Sequence, residues 1–244
     1  MGYQQRRRIA IDGPAASGKS AVGSAVARAL GFPFIDTGGI YRALTWLALN
    51  RRIQLSDAKA LTTLASTATV ELGPAESGSE TGAVVIDGLD ATPHLRNDDV
   101  EQNVSVVSAV PGVRRHLVSI QRRLADGCAV MAGRDIGSVV LPDADLKTYL
   151  DASPEERARR RRDQLLAAGE QADYSLLVEQ MRRRDHLDSS RAVAPLQVPE
   201  GAVRLQTDGM SLDEVIARIL GLYVERFGET RSGLCGSAGP GTVS

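Results

Sequence analysis

Several residue types that mark a special environment are scarce or absent in this chain. It has two cysteines, Cys128 and Cys235, far apart and without a pairing pattern. They read as a small core residue and a tail thiol rather than a disulfide, which fits a reducing cytoplasm. The three histidines, His94, His116 and His186, show no metal-ligand spacing. No apolar run approaches the length of a membrane span, and the N-terminal arginines precede no signal-peptide core. A cytoplasmic protein with no membrane partner is expected. Net charge is lacking too: 29 basic residues face 30 acidic ones, for a formal −1. A global positive field for non-specific nucleic-acid binding is therefore excluded, and basic groups must act locally. Lysine itself is rare, occurring only at Lys19, Lys59 and Lys147.

At 244 residues and 43% hydrophobic content, the chain can bury one large core, or a core with a small inserted domain. Its organising stretch is Gly13-Pro-Ala-Ala-Ser-Gly-Lys-Ser20, with the spacing G-x-x-x-x-G-K-[ST] of a phosphate-cradling loop. Gly13 and Gly18 let the backbone turn successive N–H groups inward to form an anion nest. Lys19 brings a mobile positive charge to terminal phosphates, and the Ser20 hydroxyl can ligate Mg²⁺. The flanks fit: Arg8–Asp12 reads as a buried strand, and Val22, Val26 and Leu30 recur at helical spacing before Gly31. The backbone of residues 13 to 21 (Gly13, Pro14, Ala15, Ala16, Ser17, Gly18, Lys19, Ser20 and Ala21) is the expected site of ATP.

Further along, Phe32–Asp36 reads as a second strand ending in a polar turn, Asp36-Thr-Gly-Gly39, and a helix follows through Tyr41, Leu44 and Leu47. Another helix is expected over 57–68, with Ser56 as N-cap. Val70–Leu72 and Ala83–Ile86 read as a hairpin joined by the Gly/Ser/Glu-rich piece 73–82. These short strands interrupt the α/β alternation, so residues 40–110 are read as an insertion that carries a second substrate. Pro111 breaks that segment, and Val113–Leu124 is helical. Ala129–Met131, Leu146–Leu150 and Val203–Gln206 complete a five-stranded set. The loop Gly133-Arg-Asp-Ile-Gly137 lies at the strand ends, where open α/β sheets bind ligands. Ser153–Glu156 and Ser211–Glu214 have the pattern of capping boxes. The expected fold is an α/β, P-loop NTPase-type parallel five-stranded sheet flanked by helices. Its parts are a core (1–39, 111–152 and 192–227), the insertion (40–110), Arg-rich helices including a lid (153–191) and a flexible tail (228–244).

Arginine is used where lysine would serve solubility equally well. Its planar fork grips phosphate oxygens bidentately and stays charged at any working pH. Five arginines fall within Arg157–Arg162. A helix turns about 100° per residue, so they cannot share one face. Some are expected to pair with Glu155 and Glu156, and those facing the phosphate loop, with Arg157 and Arg161 as candidates, to clamp phosphate.

Taken in order, Ile11–Ser20, Asp36-Thr-Gly-Gly-Ile-Tyr-Arg42, Gly133-Arg-Asp-Ile-Gly137, the Arg-rich helix and Arg184–Leu196 resemble the bacterial cytidylate (CMP/dCMP) kinases, P-loop nucleoside monophosphate kinases. The resemblance runs from about Arg8 to Phe227. It implies that Thr37, Tyr41 and Arg42 help hold the acceptor nucleotide, and that Arg134 and Arg191 reach phosphate. It further implies that Arg184 and Asp188 touch the sugar hydroxyls, and that Ser105, Arg114 and Asp135 read the base. Lys19, Arg134, Arg157, Arg161 and Arg191 are the candidates for stabilising charge during transfer from ATP to CMP or dCMP, and Ser20 is the metal ligand. A monomer is expected. One position departs from the family: residue 132 is Ala, where relatives usually carry an acid. Mg²⁺ would then rest on Ser20, the ATP phosphates and, as a further candidate, Asp36. Other readings stand beside this one: a small-metabolite kinase such as a shikimate kinase, a GTP switch (which lacks an N-K-x-D motif here) and a nucleic-acid-binding ATPase.

Overall fold

The computed structural model describes residues 6–73, 82–228 and 242–243. Five parallel strands form the central sheet in the order β2 (Phe34–Asp36), β6 (Ala129–Gly133), β1 (Arg8–Asp12), β7 (Leu146–Asp151), β8 (Val203–Gln206). Alternation along β1 sets the two layers. Ile9 and Ile11 face a cluster with Val22 and Val26 of α1 (Lys19–Leu30) and Ile219 and Tyr223 of α8 (Leu212–Phe227). Ala10 and Met131 face the opposite cluster with α2 (Thr37–Asn50) and α5 (Pro111–Leu124). Both sheet faces are thus covered, as a parallel sheet requires.

The insertion holds α3 (Ala58–Thr67), the antiparallel strands β3 (Val70–Leu72), β4 (Val84–Ile86) and β5 (Leu89–Asp90), and α4 (Asp98–Ala109). Its apolar residues Leu61, Val70, Val84 and Ile86 belong to the same buried cluster as Ala10 and Met131. The two Arg-rich helices, α6 (Pro154–Ala167) and α7 (Tyr174–Ser189), pack on one another around a small separate cluster of Ala15, Ala158, Leu177 and Met181. Among the described residues no helix is long and apolar enough to cross a membrane.

Several local expectations change. The segment Asp36–Gly39 is a helix start rather than a turn: the Asp36 carboxylate accepts from Gly38 N–H and caps α2. Asp57, not Ser56, caps α3, accepting from the N–H groups of Lys59 and Ala60. The box at Ser153 is half made. Its hydroxyl accepts from Glu156 N–H, while the Glu156 carboxylate turns to Arg159 and Arg160. At Ser211 both halves form. Residues 74–81, the tip of the expected hairpin, lie outside the described residues. The tail was expected to be flexible, yet within it β9 (Thr242–Val243) pairs antiparallel with β3. Cys128 is buried but is not a free thiol: it is disulfide-bonded. The other cysteine, Cys235, lies outside the described residues, and cysteine usage no longer speaks for a reducing compartment.

Candidate active site

The carboxyl ends of β1 and β6 lie side by side, with Asp12 opposite Gly133, and between them opens the cleft lined by residues 15–21 of the phosphate loop. Gly13 leads into that loop so close to β7 that an added Cβ would sit 2.3 Å from the Leu150 carbonyl oxygen. Gly18 takes a left-handed conformation (φ 89°) as α1 begins, and no side chain caps that helix. Its first N–H groups are therefore left for an anion at the positive end of the dipole. The Lys19 ammonium folds back on the loop, donating to Pro14 O at 2.5 Å and Ser17 Oγ at 3.2 Å. Burial pushes this lysine well below its usual range, and the neighbouring Arg134 charge adds to that.

Ser20 Oγ donates to Asp36 Oδ2 at 3.2 Å, and the same carboxylate oxygen receives Arg42 Nη2 at 3.0 Å. A hydroxyl and a carboxylate side by side are hard oxygen donors that suit Mg²⁺. Among the described residues no group of three or more His, Cys, Asp or Glu could hold a metal alone, so such an ion would need nucleotide and water oxygens as well. Ala132 offers no ligand. Its side chain is buried in the apolar cluster beneath α1 and α8.

Across the cleft the Arg114 and Asp135 side chains form a buried ion pair, with side-chain exposures of 2% and 6%. Arg114 is further held by Ser108 O at 3.2 Å, and its guanidinium lies 5.4 Å from the Tyr41 ring centre. Ser105 lines the same wall. Asp188 accepts from Arg134 Nε at 2.8 Å and lies 3.5 Å from Arg191 Nη2. Burial would raise the Asp188 carboxyl, but the Arg134 and Arg191 charges outweigh it and hold the group below its usual range. The Thr37 hydroxyl donates to Ala132 O at 2.9 Å, tying the start of α2 to the end of β6.

The structure brings most of the predicted side chains to one cleft. Thr37, Tyr41, Arg42 and Ser105 line it, as do Arg114, Arg134 and Asp135, and Arg184, Asp188 and Arg191. Arg161 lines it too. Gly13 and Pro14 are not in the lining, and neither is Arg157. Arg157 is 1% exposed and donates to Ala152 O and Ala15 O, each at 3.0 Å, while pairing with Asp185. The expected phosphate clamp is a strut from α6 to the phosphate loop and α7. Arg159 and Arg160 pair with Glu156, as their spacing on a helix allows. Nine cationic residues against four acidic ones line the cleft, a strong local field in a chain of near-zero net charge.

Sequence reasoning missed three residues. Arg96 and Glu101 line the cleft. Asp12, fully buried, accepts from the N–H groups of Ile136 and Gly137, each at 2.7 Å. It thereby anchors the loop that carries Arg134 and Asp135. Burial raises the Asp12 carboxyl to about 6, against the lowering effect of those two bonds. A helical period in Val100, Val104 and Val107 could have flagged α4 and hence Glu101. Nothing in the sequence signals partners that are backbone groups 124 residues away.

A family model described as cytidylate kinase matches residues 9–225. A cytidylate kinase of Geobacillus sp. (strain WCH70) is 45% identical over 222 residues, covering 91% of this chain and 98% of that protein. One from Mycobacterium leprae (strain Br4923) is 44% identical over 222 residues, 90% of this chain and 96% of that protein. A bifunctional pantoate ligase/cytidylate kinase of Synechococcus sp. (strain JA-2-3B'a(2-13)) is 46% identical over 93% of this chain and 43% of its own length. These matches span both walls of the cleft, from the strand that feeds the phosphate loop to the helix that covers the far face of the sheet, and with them the chain belongs to the cytidylate kinase family.

Proposed function

We propose that this protein transfers the γ-phosphoryl group of ATP to the phosphate of CMP or dCMP, giving ADP and CDP or dCDP. The observation that carries this reading is the buried Arg114–Asp135 pair in the cleft that Ser105 and the phosphate loop also line. Cytosine offers an exocyclic amine as donor and N3 and O2 as acceptors. Asp135 suits the first, and Arg114 and Ser105 suit the others. Uracil reverses the first two, setting its O4 against the carboxylate and its N3–H against a donor.

The acceptor phosphate is already an anion at neutral pH, so no general base is required. The chemistry needs two polyanions held in line, their repulsion neutralised and water excluded. Lys19 and the open N-terminus of α1 serve the donor phosphates. Arg42, Arg134 and Arg191 serve the acceptor and the group in flight, with Arg161 closing from α6. Arg184 and Asp188 hold the sugar. Arg157 acts on this reading through the phosphate loop, whose Ala15 carbonyl it binds. Mg²⁺, when bound at Ser20 and Asp36, supplies further neutralisation of phosphate charge. On this reading the Arg-rich helices within 153–191 include the lid, and the inserted segment supplies the acceptor wall through Tyr41, Arg42 and Ser105. The proposed form is a monomer.

The test is ADP release from Mg-ATP with CMP, dCMP, UMP, AMP or shikimate offered singly. CMP and dCMP should drive turnover, with UMP disfavoured by about 1–3 kcal/mol per misread contact. Equal rates with UMP and CMP would discard the base-reading roles. Turnover with shikimate alone would replace the reaction by small-metabolite phosphorylation.

A further inference from the structure

Glu101, on the first turn of α4, is the point where cations from three separate elements converge. Its Oε2 accepts from Arg184 Nη1 of α7 at 2.9 Å. Its Oε1 accepts from Arg96 Nη1 at 3.3 Å, in the turn before α4, and lies 4.0 Å from Arg42 Nε of α2. All four side chains line the cleft. Arg42 has a second carboxylate partner in Asp36. Among the described residues, Arg96 and Arg184 have ion pairs with Glu101 alone. Three guanidinium groups gathered this closely repel one another, and the burial of Arg42 sharpens that: its guanidinium is pushed below its usual range by burial and by the Arg96 and Arg184 charges, against Asp36 and Glu101. The same fields act on the carboxylate. Burial would raise Glu101, yet Arg184, Arg42 and Arg96 hold it down at about 2.

Two buried donors in this cluster, Arg42 Nε and Arg184 Nε, make no hydrogen bond among the described residues. Buried guanidinium N–H groups without acceptors are costly, and a site that keeps them in reserve is built for an anion or hydroxyl that is yet to arrive. Glu101 cannot serve them all: it is one carboxylate shared by three cations. Its geometric effect is to stop the forks from splaying while leaving part of each fork free. The Arg184–Glu101 contact is also, among the described residues, the hydrogen bond that joins the insertion to the lid helices.

Resting on the reaction proposed above, we infer that Glu101 is a positioning residue for the acceptor nucleotide: it pre-orients Arg42, Arg96 and Arg184 so that their free N–H groups meet the acceptor's phosphate and sugar, without itself touching the reacting atoms. Removing its charge should therefore act on the acceptor and spare the donor. Arg96, which no motif brought out, becomes a third cation of the acceptor wall through the same contact.

The experiment is steady-state kinetics of wild type, Glu101→Gln and Glu101→Asp with CMP and ATP varied in turn, each protein's melting curve recorded alongside. Glu101→Gln should raise KM for CMP about tenfold or more, the worth of one charge-assisted hydrogen bond, with KM for ATP within about twofold. Glu101→Asp keeps the charge on a side chain shorter by one methylene and should recover part of the loss. A Gln variant whose KM for CMP stays at the wild-type value, or whose KM for ATP rises in step, overturns the inference and leaves the reaction standing. If the Gln variant does not fold, the Asp variant decides by the same split: a selective rise in KM for CMP supports the role, and its absence overturns it. A wild type without CMP-dependent ADP release overturns the reaction first, and the role of Glu101 with it.

Discussion

The insertion and the lid meet across the same cleft but are fastened to the core by different physics. The insertion shares one continuous apolar cluster with the sheet, from Ala10 and Met131 out to Leu61 and Ile86. The lid rests on a few small or flexible side chains, Ala15, Ala158, Leu177 and Met181, and leaves Leu166 and Leu176 more than half exposed. Its attachments to the rest of the chain are polar: Arg157 donates to Ala15 O and Arg160 to Thr207 O, Asp188 accepts from Arg134, and Arg184 donates to Glu101. A close-packed core cannot slide without opening voids. Ion pairs can be remade when a new anion enters. On this contrast, closure over the substrates is expected of the lid helices, with the insertion as the more rigid wall.

The largest test of that contrast is Arg157→Ala. Breaking a buried pair by removing one partner costs about 3–5 kcal/mol. The loss should appear as faster amide exchange over 154–189 and as lost turnover, with the sheet's own exchange little changed. An equal loss of protection throughout β1 and β6 would place the lid within the core's cooperative unit. Ile86→Ala tests the other side. Its cavity should cost about 2–5 kcal/mol and lower one melting transition for the whole molecule. A separate early transition confined to the insertion would break the comparison.

The smallest effect concerns the loop between the two regions, which Asp12 pins. In the folded protein its carboxyl is raised from 3.8 to about 6 by burial. The folded state therefore binds that proton more tightly than the unfolded chain does. Its contribution is fully present below about pH 4 and is lost as pH rises through about 6, amounting to about 3 kcal/mol. Denaturation of wild type and Asp12→Asn at pH 4 and pH 7 should show the stability difference moving against wild type by about that amount at the higher pH. A difference that does not move with pH would mean that the Asp12 site is wetter than its burial implies.

Much of the sheet was legible because its causes are local. Strand patterning, the loop of residues 13–20 and the Ser211 cap each carry their signal within a few residues. The Arg114–Asp135 pair and the cleft arginines came from ordered motifs. What stayed hidden depends on competition or on distance. Glu156 was matched to Ser153 by spacing, yet arginines three and four residues on offered a stronger partner. Asp36 looked like a turn residue because capping and turn-forming draw on the same chemistry. Arg157 looked like a clamp because sequence cannot tell which face of a helix will be buried. Asp12 and Glu101 owe their importance to partners that only the tertiary fold assembles.

Lys19, folded onto its own loop with its ammonium destabilised by burial, has a consequence for proton traffic. A triphosphate arriving in the loop would restore the charge that burial disfavours, so nucleotide binding and protonation of Lys19 favour one another. In alkaline solution the empty loop surrenders that proton earlier than a surface lysine would, and binding must then draw it back from the buffer. Nucleotide affinity accordingly weakens toward high pH, and the heat of binding there carries the ionisation enthalpy of whichever buffer supplies the proton.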